Sequence, residues 1–409
     1  MTTAAQHTPV PAARARIHGL DAVRGGALLL GIVLHSLMPI SAGMPWMVED
    51  SQRADWPIVL ITAIHLFRMT MFMLMAGYFA RLMRHRCGTR SYLADRLKRI
   101  TLPVVVFWPL AVMPLGLLAA WHASRSGTHM IRPDIAGHGG ILGAVDLGHL
   151  WFLWVLTQVI IIALLVRAAA ARLFPVAAER LAQTLARVLT NPGGVLLAAV
   201  PYAITTNLQG DASGIVAPST LLPDPVALIA YLGAFLVGWI LAHDPESLTR
   251  LGRQAWWHAG VLVVLLGFFA LGILPIDMDS SRPGWSTFMA LFGWLTCYTL
   301  LGLAVRHLTQ ERAWIRYLAD ASYWMYLMHL VLLTFFEVLI AGYTWPLALK
   351  VLLNIIVTTA ILLATYLLFV RSTALGGWLN GRRARKTDRV AAAPGAKSVA
   401  LKDGTLSSR

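Results

Sequence analysis

Two cysteines in 409 residues provide no disulfide framework and no thiolate cluster to hold a fold together. Cys87 falls in a basic segment and Cys297 inside an apolar run, which argues against a bridge between them. Charge is scarce too: Asp, Glu, Lys and Arg make up 13% of the chain, with 19 acidic residues against 34 basic ones. The sequence contains no dinucleotide fingerprint, Walker phosphate loop or Cys/His metal spacing, so it offers no motif for nucleotide hydrolysis or for a bound metal or cofactor. It also lacks the internal repeat that marks many two-halved transporters.

What the chain has instead is hydrocarbon. Apolar residues make up 57% of it, the mean hydropathy is +0.66, and apolar runs of about 18 residues or more recur. The fold class expected is all-α: a polytopic transmembrane helical bundle of about ten spans, at 20–40, 57–80, 101–121, 149–167, 193–208, 225–242, 256–275, 285–305, 320–341 and 347–370. The fifth is the weakest, because it is short, begins near Asn191-Pro192-Gly193-Gly194 and contains Pro201 and Asn207. The first reads as a retained helix rather than a cleaved signal, since it carries Arg24 and His35 and lacks a small-residue cleavage site. Residues 1–15 read as a disordered arm, 16–371 as one transmembrane domain, and 372–409 as a basic disordered tail.

With the N-terminus in the cytoplasm, only Arg53, Arg125, Arg132 and Arg282 fall in loops on the opposite side, while Arg24, Arg68 and Lys350 fall within or at the edge of spans. Every other lysine and arginine then lies on the cytoplasmic side, as the positive-inside rule requires, and both termini are expected there. The net charge of +15 is thus a topology signal with some attraction for anionic lipid, and it does not call for a nucleic-acid partner.

Several ionisable groups sit where lipid should exclude them. Arg24 and His35 are eleven residues apart, about three helical turns and about 16 Å, so they share one helix face. Asp21, one turn before Arg24, is a natural ion-pair partner. The plain alternative for Arg24 is snorkelling to the cytoplasmic surface. Arg68 lies midway along the second span, with His65 on nearly the same face; it must find an anion, carbonyls or water, and a structural clamp to Glu337 of the ninth span is the plain alternative. His149 opens the fourth span beside Trp151, which reads either as an interfacial belt or as a sugar-facing rim. Tyr326 and His329 share a face of the ninth span, as helix-joining polar groups or as part of a reaction chamber. The segment 122–148, with His122, His129, His138, Arg132, Asp134 and Asp146, reads as a solvated loop, because its spacing is too irregular for a metal site.

The Leu20-Asp21-x-x-Arg24 start with ten residues between Arg24 and His35 resembles the acyltransferase-3 family of integral membrane proteins. Further segments resemble the branch of that family associated with succinyl transfer to periplasmic glucan. They are His65-Leu66-Phe67-Arg68-Met69, Gly77-Tyr78-Phe79, Arg96-Leu97-Lys98-Arg99 before Pro103, His149-Leu150-Trp151-Phe152-Leu153, and Ser322-Tyr323-Trp324-Met325-Tyr326-Leu327-Met328-His329. They occur in the family order from about 16 to 370. One departure is Val331, where this branch often has proline.

The resemblance implies a bacterial inner-membrane acyltransferase, moving a group other than aminoacyl from cytoplasmic acyl-CoA (succinyl-CoA or acetyl-CoA) to a hydroxyl of a periplasmic or cell-surface glycan. The chemistry needs a base for the sugar hydroxyl, and imidazole, with an ordinary pKa near 6.5, meets that need. His35 is expected to be that base, by direct transfer or through an acyl-histidine. Arg24 and Arg68 are expected to hold the acyl donor, and Asp21, His65, His149, Trp151, Tyr326, His329 and Glu337 to bind the acceptor or support the site. A glycan or lipid-linked sugar transporter is the competing reading: many spans and intramembrane charge allow it, while the missing repeat and the Arg24–His35 spacing stand against it.

Overall fold

The computed structural model describes residues 17–127, 140–211, 213–274 and 283–381, which fold as packed helices with no strand among them. The first four long helices are α1 (His18–Leu37), α2 (Trp56–Cys87), α3 (Thr89–Ser126) and α4 (Gly148–Leu173). Proline and glycine set most of the boundaries. Pro57 occupies the first turn of α2, where a missing N–H costs nothing, and Gly88 ends the helix at φ +78°. In α3 a π-helical turn occupies Leu97–Thr101, and Pro114, with no amide to donate, accompanies a second break at Val112. Pro175 closes α4 and opens α5 (Pro175–Leu189), which meets α6 (Gly194–Gln209) at 104°.

The remaining helices are α7 (Pro225–Leu241), α8 (Ala255–Ala270), α9 (Pro283–His307), α10 (Ala313–Ile340), α11 (Leu347–Val370) and the short α12 (Ala374–Asn380). The Asp224 carboxylate caps α7 by accepting the amides of Val226 and Ala227. Helix occupies all ten expected segments. Among the described residues, α1, α2, α3, α4, α9, α10 and α11 are long and apolar enough to cross a membrane, while α6, α7 and α8 have 16, 17 and 16 residues and fall short of that length. The third segment begins at Thr89 rather than at 101. It also continues past His122, correcting the expectation of a solvated loop there: His122 is buried on α3 and its Nε2 accepts the Glu49 amide. His129, His138, Arg132 and Asp134 lie outside the described residues, as do 1–16 and 382–409. At the start of the predicted tail, Trp378 of α12 donates to the Lys98 carbonyl and Asn380 to that of Asp320.

Helix α1 is enclosed by α2, α9, α10 and α11. Without a hydrophobic drive between helices in lipid, close association depends on backbone approach at small residues. A Cβ at Gly77 would fall on the Phe235 carbonyl, and one at Gly238 on that of Leu74, so α2 and α7 cross with their backbones in contact.

The connection 38–55 between α1 and α2 is folded back on the bundle. Ala42 donates to the Ala54 carbonyl (2.8 Å) and Ala54 to that of Ile40 (2.9 Å), and the Arg53 guanidinium spans the carbonyls of Ser41 and Met44. Val48 packs on Val338 and Ala341. Lys350 of α11 then reaches both carboxylate oxygens of Asp50, at 2.7 and 2.8 Å, with both side chains at most 4% exposed.

Removing one partner of such a pair leaves an uncompensated charge. Lys350→Met is expected to destabilise the protein by about 3–5 kcal/mol, seen as a lower thermal unfolding midpoint in detergent, and adding Asp50→Leu to recover most of it. An unchanged midpoint in the single variant would show that the pin carries no weight.

Candidate active site

Four positions of α1 lie at successive three- and four-residue steps on one face: Arg24, Leu28, Gly31 and His35. Three of them, Arg24, Leu28 and His35, line a single cavity of about 1640 Å³ that also includes Asp21, His65, Arg68, His149, Trp151, Tyr326 and His329. The eleven-residue spacing thus places both groups on one void, as the sequence leads one to expect. Glu337 is not on its wall. It is buried behind, where its carboxylate accepts from Trp46 Nε1 (3.4 Å) and Asn354 Nδ2 (3.5 Å), so the sequence alternative of a clamp to Arg68 is not the arrangement found.

At one end of the cavity the wall is basic. Arg24 donates from Nη2 to the Ala319 carbonyl (2.6 Å) and stands 3.8 Å from Asp21. Arg86, Arg96 and Arg99 line the same region with Asp95 and Asp320. Asp95 receives both Arg96 and Arg99, and Tyr323 donates its hydroxyl to the Arg99 carbonyl (2.6 Å). These ion pairs leave the rim with an excess of guanidinium over carboxylate.

Halfway along, Arg68 of α2 crosses toward α1. Its guanidinium occupies the space that a Cβ on Gly31 would take, which brings it one helical turn from His35. Its Nε is buried and has no hydrogen-bond partner among the described residues. His65, one turn before it, is held by a loop: its Nε2 donates to the Ile215 carbonyl (3.2 Å), and a Cβ on Gly214 would collide with its ring.

Above Arg68 three imidazoles meet. The ring centroids of His35 and His329 are 5.3 Å apart and those of His329 and His149 are 5.2 Å apart. A carbonyl only accepts, so the contacts of these rings fix where their protons sit. His149 Nε2 donates to Leu327 O (3.1 Å), and His329 Nδ1 donates to Tyr326 O (2.8 Å). In the neutral rings the lone pair is then on Nδ1 of His149 and Nε2 of His329. Tyr326 closes the group by donating its hydroxyl to the His149 carbonyl. His35 differs: among the described residues no hydrogen-bond partner engages its ring, and its Nδ1 is buried without one. His149 is an interior group, 7% exposed, rather than a rim residue, and Trp151 packs against Tyr231 at 5.7 Å.

The far side of His35 is covered by Trp46, stacked at 5.7 Å and 23°. Sequence reasoning missed Trp46, Gly31 and Asp50. Gly31 carried a usable signal, a glycine four residues before His35 and seven after Arg24 on the same face. Nothing local distinguished Trp46, whose position depends on contacts to α10 nearly three hundred residues away. Arg96 and Arg99 stand out in the sequence only as part of a motif. Among the described residues no group of three or more His, Cys, Asp or Glu is placed to hold a metal ion.

A family model described as an acyltransferase domain matches residues 17–370. Proteins called glucans biosynthesis protein C are similar to part of the chain. That of Escherichia coli O6:K15:H31 is 28% identical over 148 residues, that of strain SMS-3-5 is 29% identical over 150, and that of strain K12 is 28% identical over 150. Each match covers 36% of this chain and 37% of the relative. No solved structure matches.

The Gly31–Arg68 contact makes a testable pair. Gly31→Ala is expected to cost about 1–3 kcal/mol through overpacking, read from thermal unfolding, and much less in an Arg68→Ala background. Equal costs in both backgrounds would show that the guanidinium does not rest on Gly31.

Proposed function

Because the chain belongs to this acyltransferase family, whose model takes in nearly all of its helices, we propose that it is a membrane O-acyltransferase moving a succinyl or acetyl group from acyl-CoA to a hydroxyl of a periplasmic glucan. The observation that carries the reading is the single cavity joining Arg24 and the other rim arginines to His35. A polyanionic donor suits a rim of guanidinium groups, and a neutral sugar suits the end walled by Trp46, Trp151 and imidazoles. The charge distribution along the chain supports a cytoplasmic basic rim, both termini inside, and an inner-membrane location.

In this mechanism His35 takes the proton of the acceptor hydroxyl as its oxygen bonds to the thioester carbon. Its ring has no competing carbonyl, unlike the rings of His149 and His329. The carbonyl oxygen becomes an oxyanion, for which Arg68 supplies positive charge one turn away. Collapse of that intermediate breaks the carbon–sulfur bond, and the proton held by His35 passes to the departing thiolate, leaving an ester and free thiol. Arg24, fixed by Ala319 and Asp21, anchors the donor phosphates. His329, backed by His149 and Tyr326, holds the His35 ring in place, and the group faces the acceptor, with Trp151 as an apolar wall. His65 fixes the approach of Arg68, and Glu337 acts through Trp46 rather than on the substrate. A transporter reading accounts for the passage but gives no use to the unengaged imidazole.

Purified protein supplied with labelled acyl-CoA and glucan is expected to form an ester-linked product. His35→Ala should lower the rate by about 10²–10⁴-fold with unchanged accumulation and insertion. Sugar movement without ester, or full activity in that variant, would overturn the proposal. Arg68 also offers a partner for a second carboxylate on the acyl group. Arg68→Gln is therefore expected to reduce use of succinyl-CoA more than use of acetyl-CoA, measured as the ratio of the two kcat/KM values, whereas an equal loss would assign Arg68 to the oxyanion alone.

A further inference from the structure

Helix α5 has 15 residues and meets α6 at 104°, so it does not run along the same axis as the span that follows it. At about 100° per residue its positions divide into three faces. Ala178, Ala182, Leu185, Ala186 and Leu189 turn toward the bundle, with Ala186 and Leu189 fully buried. Glu179, Arg180, Gln183 and Arg187 form an exposed polar face. Between these lie Ala177, Leu181, Thr184 and Val188, all exposed, with Leu181 at 59%.

The neighbouring helices carry exposed apolar residues as well: Leu165, Val166 and Leu173 on α4, and Leu196, Val200 and Ile204 on α6. Helix α4 is long and apolar enough to cross a membrane, where exposed apolar residues of this kind meet hydrocarbon, and α5 begins two residues after α4 ends. The charges are sorted as well. Arg180 and Arg187 sit on the edge of the polar face next to the apolar one, and Glu179 sits on the opposite edge, turned to the bundle and paired with His243 at 2.9 Å. Arg172, exposed at the end of α4, adds a third cation close by. An amphipathic helix with cations along its apolar margin and its one acid on the far edge matches a layer of phosphodiester headgroups over acyl chains.

We propose that α5 lies flat in the membrane–water interface, with Leu181 and Val188 in the acyl-chain region and Arg180 and Arg187 on the headgroup phosphates of anionic phospholipid. The helix then forms a basic lipid-binding collar at the end of the bundle where α2 and α4 finish and where Arg86 lines the cavity rim. This placement holds whatever the acyl donor or acceptor is.

The test uses the full chain reconstituted in vesicles of phosphatidylcholine and phosphatidylglycerol, with Cys87→Ser and the buried Cys297 left in place. Spin labels are attached in turn at Leu181→Cys, Val188→Cys and Gln183→Cys. Labels at 181 and 188 are expected to collide with oxygen more than with an aqueous nickel chelate, and the label at 183 to do the reverse. Labels at 181 and 188 as open to nickel as that at 183 would place the face in water. Shielding of 181 and 188 from both reagents would mean that protein covers it. Either result overturns the proposal. In a second arm, Arg180→Gln combined with Arg187→Gln is expected to reduce the selectivity for spin-labelled phosphatidylglycerol over phosphatidylcholine by about an order of magnitude. Unchanged selectivity in a protein that still elutes as a single folded species would remove the headgroup contact.

Discussion

A guanidinium halfway along a membrane helix has to be kept out of hydrocarbon, and the arrangement around Arg68 follows from that requirement. It lies on α2, faces α1, and reaches the cavity only because position 31 has no side chain. The glycine is more than a spacer in a packed interface: it is the opening through which the charge of one helix is delivered to the cavity-lining face of another. A void wide enough to hydrate that charge is also wide enough to admit substrate, so the cost of the buried cation and the existence of the cavity are linked.

The histidines illustrate a second level of organisation. His65, His149 and His329 each spend one ring nitrogen on a backbone carbonyl. Such bonds fix both orientation and tautomer, and those groups become part of the wall. His35 is surrounded by rings instead, Trp46 on one side and His329 on another. Rings restrict its tilt without occupying its nitrogens. A base needs that combination: a held position and an available lone pair.

Much of this was legible in the sequence, because membrane helices are written in local composition. Apolar runs located all ten helical segments, and the number of residues between Arg24 and His35 placed them on one face. What could not be read locally depends on chain crossing. Glu337 looked like a partner for Arg68, since a buried carboxylate suits a buried cation, yet the fold gives it Trp46 and Asn354. His122 looked like a loop residue because the glycines after it blur the helix end. The expected span 256–275 outruns α8, which ends at Ala270, for a related reason: hydropathy reports affinity for lipid, whereas helix length also answers to caps and bends.

The tie between Asp50 and Lys350 bridges 300 positions of chain. During synthesis the carboxylate emerges early, and the ammonium that neutralises it follows only after nine of the other helices. Until α11 arrives, the segment carrying Trp46 is seated on α10 alone, through Val48 and the Glu337 carboxylate, with its own carboxylate still lacking a counter-charge. Settling of this wall is thereby tied to synthesis of α11, and a ribosome that stops short of position 350 leaves a buried carboxylate with no cation to meet it.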